Sequence, residues 1–299
     1  MKPLTLKHLR YFEALAIYGH FGRAAEASLI SQPALSLQIK ELETIMGGPL
    51  VERTAREIRL TALGEDLIQH GREILRRVED LDALVRKRAR PFAGRLRFGI
   101  IPTVAPYLLP QIIKTLASEF PKLILEPKES ITQSLVHEIL ASRLDVAIVA
   151  LPISESNLRE FALFDEEFLL VRTLQDVDEP VPTASALPEM QLLLLEEGHC
   201  FRDQALSFCN LSGFNARKIM EGSSLSTLVQ MVSAGIGVTL IPEMALEFET
   251  RGTDVSIARF NDSPPKRTIG MIWRKTNPLT DEFMQIGALI RRAAERPVT

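Results

Sequence analysis

Phe21 to Thr61 reads FGRAAEASLISQPALSLQIKELETIMGGPLVERTAREIRLT. Within it Ser31 suits an N-cap and Pro33 falls in a first turn. Ala34, Leu35, Ile39 and Leu42 make an inward stripe, so a helix is expected that ends at Gly47 and Gly48. A shorter helix over Arg23 to Ser28 precedes it by only a few residues, which is the spacing of a helix-turn-helix. Upstream, Leu9, Phe12, Leu15 and Ala16 recur at helical spacing between Lys7 and Tyr18, with Gly19 and Gly22 punctuating the next turn. Downstream, LVERTAREIRLT is expected to form two short strands around Thr54 to Glu57, with Arg53, Arg56 and Arg59 clustered as a basic wing.

The second helix of the pair presents Gln32, Pro33, Ser36, Gln38 and Lys40, whose polar members can reach base edges or phosphates in a major groove. The competing reading is three small helices packed for stability with their polar residues merely solvated. The arginine wing beside the helix favours DNA, with Arg53, Arg56 and Arg59 on phosphates or in the minor groove. Charge alone says less: residues 1–90 carry 15 Lys+Arg against 12 Asp+Glu, while the whole chain of 299 residues has a net charge of -3. The front is mildly basic and the rear acidic, so the placement of the bases carries the reading.

Residues 62–90 read as one long helix in which Leu67, Gly71, Ile74, Val78, Leu81 and Val85 alternate by four and three. A single helix cannot bury such a heptad seam alone, which implies a dimer. Packing on the same chain is the alternative, and Pro91 and Gly94 favour a projecting linker helix. Beyond it strands and helices alternate: RLRFGII (95–101), then a helix, KLILEPKE (122–129), a second helix and DVAIVAL (145–151). Further strands are expected at Glu167 to Arg172 and Leu192 to Glu196, in a parallel α/β sheet. In such sheets ligands meet the carboxyl ends of the strands, where Thr103 and Thr132 fall; an ordinary helix cap is the commoner use of a threonine there.

The chain's two cysteines, Cys200 and Cys209, bracket the short helix expected in GHCFRDQALSFC (198–209). A thiolate is the reactive form, and it is favoured at a helix N-terminus or near His⁺ or Arg⁺. Cys200 has all three in prospect, with His199 before it and Arg202 after it, whereas Cys209 sits beside Phe208 on the apolar side. Two-electron oxidation of such a thiolate gives a sulfenic acid, and its condensation with a second thiol gives a disulfide with loss of water. Nine residues of helix span about 13.5 Å at about 1.5 Å per residue, but a disulfide needs Cα atoms within about 7 Å. A bond between these two therefore requires the helix to unwind or bulge. The bland reading is two buried small apolar residues.

So few cysteines are not a secreted disulfide framework, no stretch of about 18 uncharged apolar residues occurs, and the N-terminus lacks an export pattern. A cytoplasmic protein that neither enters nor spans a membrane is expected. No His/Cys cluster has metal-ligand spacing.

The order helix-turn-helix, wing, heptad helix and α/β domain resembles the LysR-type transcriptional regulators along the full chain. The residues that carry the likeness are FGRAAEASLISQPALSLQIKELE, PLVERTAREIRLTALG and SAGIGVTLIP. The resemblance implies an N-terminal all-α winged helix-turn-helix over 1–61, a linker and dimerisation helix over 62–90, and an α/β effector domain over 91–299 resembling a periplasmic binding protein. That domain would have subdomain I over about 91–164 and 268–299, subdomain II over about 165–267, and a cleft between them. It also implies homodimers pairing into tetramers, promoter DNA, RNA polymerase and a thiol reductant as partners, and no cofactor.

Within that family, GHCFRDQALSFC with IPTVAPYLLP (101–110) is similar to the hydrogen-peroxide-sensing members. This implies Cys200 as the peroxide-reactive cysteine, Cys209 as its resolving partner, and Thr103, Thr132, His199 and Arg202 around the peroxide. Leu37 departs from the small or charged residue usual in the recognition helix, so operator preference does not carry over. The function expected is a regulator, not an enzyme, that senses peroxide and controls antioxidant genes. The alternatives are a LysR-type regulator reading a metabolite in the cleft, or a two-cysteine thiol peroxidase, which the DNA-binding head disfavours.

Overall fold

A computed structural model of the chain describes residues 3–53, 58–89, 92–183, 186–187, 190–209, 220–260 and 264–294. The chain forms two compact units, 1–85 and 86–299.

The first unit holds α1 (Leu6–Tyr18), α2 (Phe21–Ala27), α3 (Gln32–Met46), β1 (Val51–Arg53), β2 (Ile58–Leu60) and most of α4 (Ala62–Ala89). Thr5 starts α1 by a reciprocal cap: its Oγ1 accepts from the His8 N–H and its own N–H donates to His8 Nδ1, each at 3.3 Å. Gly19 ends that helix at φ +58°. Gly22, expected in the turn, lies inside α2 instead, where its N–H is taken by the capping His20 Nδ1 at 3.0 Å.

Ser31 caps α3 and Gly47 closes it at φ +75°. Leu35, Ile39 and Leu42 face inward and meet Phe12, Leu15, Ala24, Ala25 and Leu50 in one core. Ala34, expected among them, is exposed, because one residue back is about 100° around the helix.

β1 and β2 pair antiparallel with Val51 opposite Leu60 and Arg53 opposite Ile58, which forms the expected wing. Thr61 then anchors α4: its Oγ1 donates to Pro49 O at 2.7 Å and accepts from Gly64 N at 3.0 Å. Ile68 joins the unit's own core and Leu75 is buried with it, so the helix's first turns pack on their own chain. Farther along the expected seam, Ile74 is 43% and Leu81 61% exposed. The side chain of Val85 lies outside the described residues.

The second unit runs β3 (Gly94–Ile100), α5 (Ala105–Glu119), β4 (Leu123–Glu129), α6 (Thr132–Leu140), β5 (Val146–Leu151), β6 (Leu158–Thr173), β7 (Leu192–Leu195) and α7 (Cys200–Phe208). It continues through β8 (Met220–Gly222), α8 (Leu225–Ser233), β9 (Val238–Pro242), α9 (Leu246–Glu249), β10 (Val255–Ala258), β11 (Lys266–Arg274) and α10 (Thr280–Ala294). The strand order is β4-β3-β5-β11-β6-β9-β7-β8, with β10 on β6.

The expectation of a parallel sheet is corrected to a mixed one. β3, β4 and β5 run parallel, as do β7, β8 and β9, because a helix carries the chain back between successive members. β11, however, arrives from the far end and inserts antiparallel between β5 and β6, and β6 pairs antiparallel with β9. β6 is also far longer than the segment expected at Glu167 to Arg172. Its first half was hidden by Arg159, Glu160, Asp165 and Glu166, charges that do not read as strand.

Two apolar cores lie along this sheet. One gathers Phe98, Ile100, Leu135, Ile148, Ile272 and Trp273 with α5, α6 and α10. The other gathers Phe168, Leu170, Leu193, Phe201, Val229 and Leu240 under α7 and α8. β6 feeds both, Leu158 and Leu163 into the first and Phe168 to Val171 into the second.

Gly237 enters β9 at φ +149°, and a Cβ there would stand 2.1 Å from Gln191 O. Gly237→Ala is expected to destabilise the second unit by about 3 kcal/mol, seen as a lower urea midpoint by tryptophan fluorescence. An unchanged midpoint would show that the strand relaxes freely.

Candidate functional site

Three strand-to-helix junctions meet at one place. Ile101, Pro102 and Thr103 leave β3, Ile131 and Thr132 open α6, and His199, Cys200 and Phe201 open α7; together they line one narrow crevice. Thr103, Thr132, His199 and Cys200 are thus brought together from segments distant in sequence. The cap residues of α5, α6 and α7 (Val104, Ile131 and His199) make no side-chain cap bond. The first N–H groups of α5 are nonetheless taken within its own turn, Ala105 by Ile101 O at 3.0 Å and Tyr107 by Val104 O at 3.2 Å, whereas the leading N–H groups of α6 and α7 have no side-chain acceptor and their dipoles favour negative charge at this end.

Thr103 is held by a charge that the sequence reading missed. Arg267 on β11 is fully buried; its NH1 donates to Thr103 Oγ1 at 2.7 Å and its NH2 to Thr103 O at 3.1 Å. Its Nε donates to Glu166 Oε1 on β6 at 2.7 Å, and its guanidinium lies 5.2 Å from the Phe201 ring centroid. Burial pushes the Glu166 carboxyl up from the ordinary range, opposed by Arg267 and by the Met244 N–H. Because Thr103 Oγ1 accepts from Arg267, its own proton is free to donate elsewhere. Thr132 Oγ1 is buried with no hydrogen-bond partner among the described residues. Two hydroxyls therefore stand beside Cys200 with bonding capacity to spare. A charged arginine beside an acidic strand gave little signal in sequence, since Glu166 and Arg267 are 101 residues apart.

The expectation that Arg202 lines this pocket is corrected. Its side chain turns to the other side of α7, donating to Leu195 O at 2.8 Å and pairing with Glu221 at 2.8 Å. It fastens the helix to β7 and β8. Helical geometry explains the difference: two residues past Cys200 is about 200° around the axis.

Both cysteines are free thiols. The intact α7 separates them, with Cys209 as its C-cap donating to Ala205 O at 3.1 Å. They also pack on different cores: Cys200 against the one built on β3 and β5, Cys209 inside the one built on β7 and β9. Burial pushes the Cys209 thiol up to about 11.

On α3, Gln32, Pro33 and Lys40 are exposed and Ser36 half-exposed, around a face centred on Leu37, which is 65% exposed. Gln38 is half-exposed like Ser36, its amide donating to Glu41 Oε2 at 3.2 Å. Arg59 is exposed on β2; Arg56 lies outside the described residues, as does the side chain of Arg53. Among the described residues no cluster of three His, Cys, Asp or Glu side chains could hold a metal, and no helix is long and apolar enough to cross a membrane.

Residues 6–65 match the bacterial regulatory helix-turn-helix proteins of the lysR family, and residues 89–295 match the LysR substrate binding domain. The chain belongs to the LysR family. This LysR-family chain is 39% identical to the DNA-binding transcriptional dual regulator OxyR of Escherichia coli, over 96% of this chain and 95% of that one. Among solved structures it is similar to a full-length OxyR variant from Pseudomonas aeruginosa, with a TM-score of 0.78 and 32% identity over 97% of this chain and 96% of that one. It is also similar to a hydrogen-peroxide-bound OxyR mutant from Corynebacterium glutamicum, with a TM-score of 0.65 and 34% identity over 98% and 94% of the two chains. The front is a DNA-binding helix-turn-helix of a transcription regulator.

At pH 8 a thiol titrating near 11 holds about a hundredfold less thiolate than one at its ordinary value. Cys209 in the native reduced protein should therefore react with iodoacetamide at least about a hundredfold more slowly than in denatured protein. Comparable rates, followed by peptide mass spectrometry, would contradict this environment.

Proposed function

We propose that this protein is a transcription regulator that senses hydrogen peroxide through Cys200 and controls genes of the peroxide response. The observation that carries the reading is the crevice at Cys200, where the N-termini of α6 and α7 and two underused hydroxyls surround one sulfur. The Cys200 sulfur attacks one peroxide oxygen, the O–O bond breaks, and the leaving oxygen takes a proton and departs as water. Cys200 is then a sulfenic acid. The Thr103 and Thr132 hydroxyls and the helix N–H groups donate to peroxide oxygens as charge moves onto the leaving one. His199 lines the same wall, while Arg267 acts through Thr103.

The Cys209 thiol then attacks the sulfenic sulfur and water leaves, giving a Cys200–Cys209 disulfide. The bond cannot form across an intact α7, so that helix is dismantled and its inner side chains leave their core. A thiol reductant resets the switch. The exposed Ile74 and Leu81 on α4 support a homodimer joined through that helix, with dimers pairing into a homotetramer. Gln32, Pro33, Ser36, Gln38 and Lys40 face promoter DNA, with Arg59 of the wing on its backbone, and RNA polymerase is recruited alongside. The protein works in the cytoplasm, and consumption of one peroxide per switching event makes it a sensor, not an enzyme.

Peroxide treatment of the reduced chain should yield a Cys200–Cys209 crosslinked peptide by mass spectrometry. Cys200→Ser should lose both the crosslink and the transcriptional response. Retention of a full response in that variant would point to a ligand-reading regulator whose thiols are incidental.

A further inference from the structure

A cavity of about 540 Å³ opens elsewhere in the second unit, between α5, the first half of β6 and α9. Its size falls in the range of about 300–1,000 Å³ that small-molecule sites occupy. Tyr107, Phe164 and Phe248 wall it, and Glu166, Glu243 and Glu247 supply its charge; none of its described lining residues is Lys, Arg or His. Tyr107 is fixed in place: its hydroxyl donates to Glu249 at 2.5 Å, and its ring tilts at 59° against Phe248, centroids 5.5 Å apart. Phe248 leaves 51% of its surface exposed, large for an aromatic that already has a ring partner. Two of the carboxylates are engaged, Glu166 with Arg267 and Glu243 with Arg259. Glu247 has no ion pair among the described residues and is exposed at the edge of the cavity.

We propose that this cavity is a second ligand site, for a small organic cation with a flat apolar body. Aromatic faces attract a cation that an apolar wall would merely desolvate, and the Glu247 carboxylate offers a charge-assisted hydrogen bond to an ammonium or amidinium. An anion of the same shape would meet the unpaired Glu247 carboxylate. The site is distinct from the Cys200 pocket, with which it shares no lining residue, and the proposal stands whether or not the thiols sense peroxide.

Calorimetric titration of the reduced full chain with benzamidine, and in parallel with its neutral isostere benzamide, tests it. Saturable binding of benzamidine at one site per chain is expected, with benzamide at least about tenfold weaker. Glu247→Gln and Phe248→Ala should each weaken benzamidine by about tenfold. Both positions are exposed, so an unchanged urea midpoint should accompany the loss. Absence of saturable binding, equal affinity for the two probes, or unaltered affinity in both variants would overturn the proposal.

Discussion

A guanidinium with no exposed surface, that of Arg267, holds the second unit together at its waist. It reaches from β11 to Glu166 on β6 and to both oxygens of Thr103, over the ring of Phe201. Isolated, such a charge would be strongly unfavourable in the interior, and removing one partner of a buried pair costs about 3–5 kcal/mol. The strands and the β3–α5 junction are therefore held where the donors are satisfied. The position of the Thr103 hydroxyl beside Cys200 follows from that constraint, since its oxygen is fixed as an acceptor and its proton is left for the pocket. A chemical site and a structural ion pair share one residue.

The second constraint is the helix α7. It places its first sulfur at the open end of a dipole and its last in an apolar core, so the two thiols differ in environment although they are nine residues apart. Phe201 and Ala205 are buried on its inner face, and Leu206 and Phe208 pack beside them. Arg202 adds a tie to Glu221 and Leu195. Apart from Phe201, which also lines the pocket, these contacts lie outside it, yet each must be disturbed before Cys209 can approach Cys200. The packing of α7 is thus what would convert a bond between its two sulfurs into movement of the chain.

The front of the molecule was largely legible in the sequence because its signals are local. Ser31, Pro33 and Gly47 mark the ends of α3 by backbone chemistry alone, and Leu35, Ile39 and Leu42 mark its inner side. Ala34 was misplaced because a list of neighbouring apolar residues does not respect the angle between them. In the second unit the alternation of strand and helix gave the α/β class, but the antiparallel insertion of β11 depends on a long return through both cores. The gathering of Thr103, Thr132, His199 and Cys200 followed from strand ends and from the family resemblance. Arg267 did not, because nothing local marks an arginine whose partners lie over 100 residues away in the chain. Arg202 was the wrong choice of cation for a related reason: closeness along a helix is not closeness around it.

The length of α7 sets how readily a bond between its two thiols could be undone. Were the cysteines one turn apart, a disulfide could form with little rearrangement and its reduction would return nothing to the fold. Across nine residues, a chain bridged between these thiols would have lost helix and exposed part of an apolar face, and reduction would restore both. Releasing two of the larger side chains forfeits about 4 kcal/mol, and at about 30 mV for each 1.4 kcal/mol this raises the reduction potential by about 90 mV. Structural disulfides lie low enough to resist cellular thiols; one that carries this burden is moved toward the range where they reduce it. The same packing that keeps the sulfurs apart therefore supplies the driving force for the return, and a single helix accounts for both the resistance to closing and the ease of reopening.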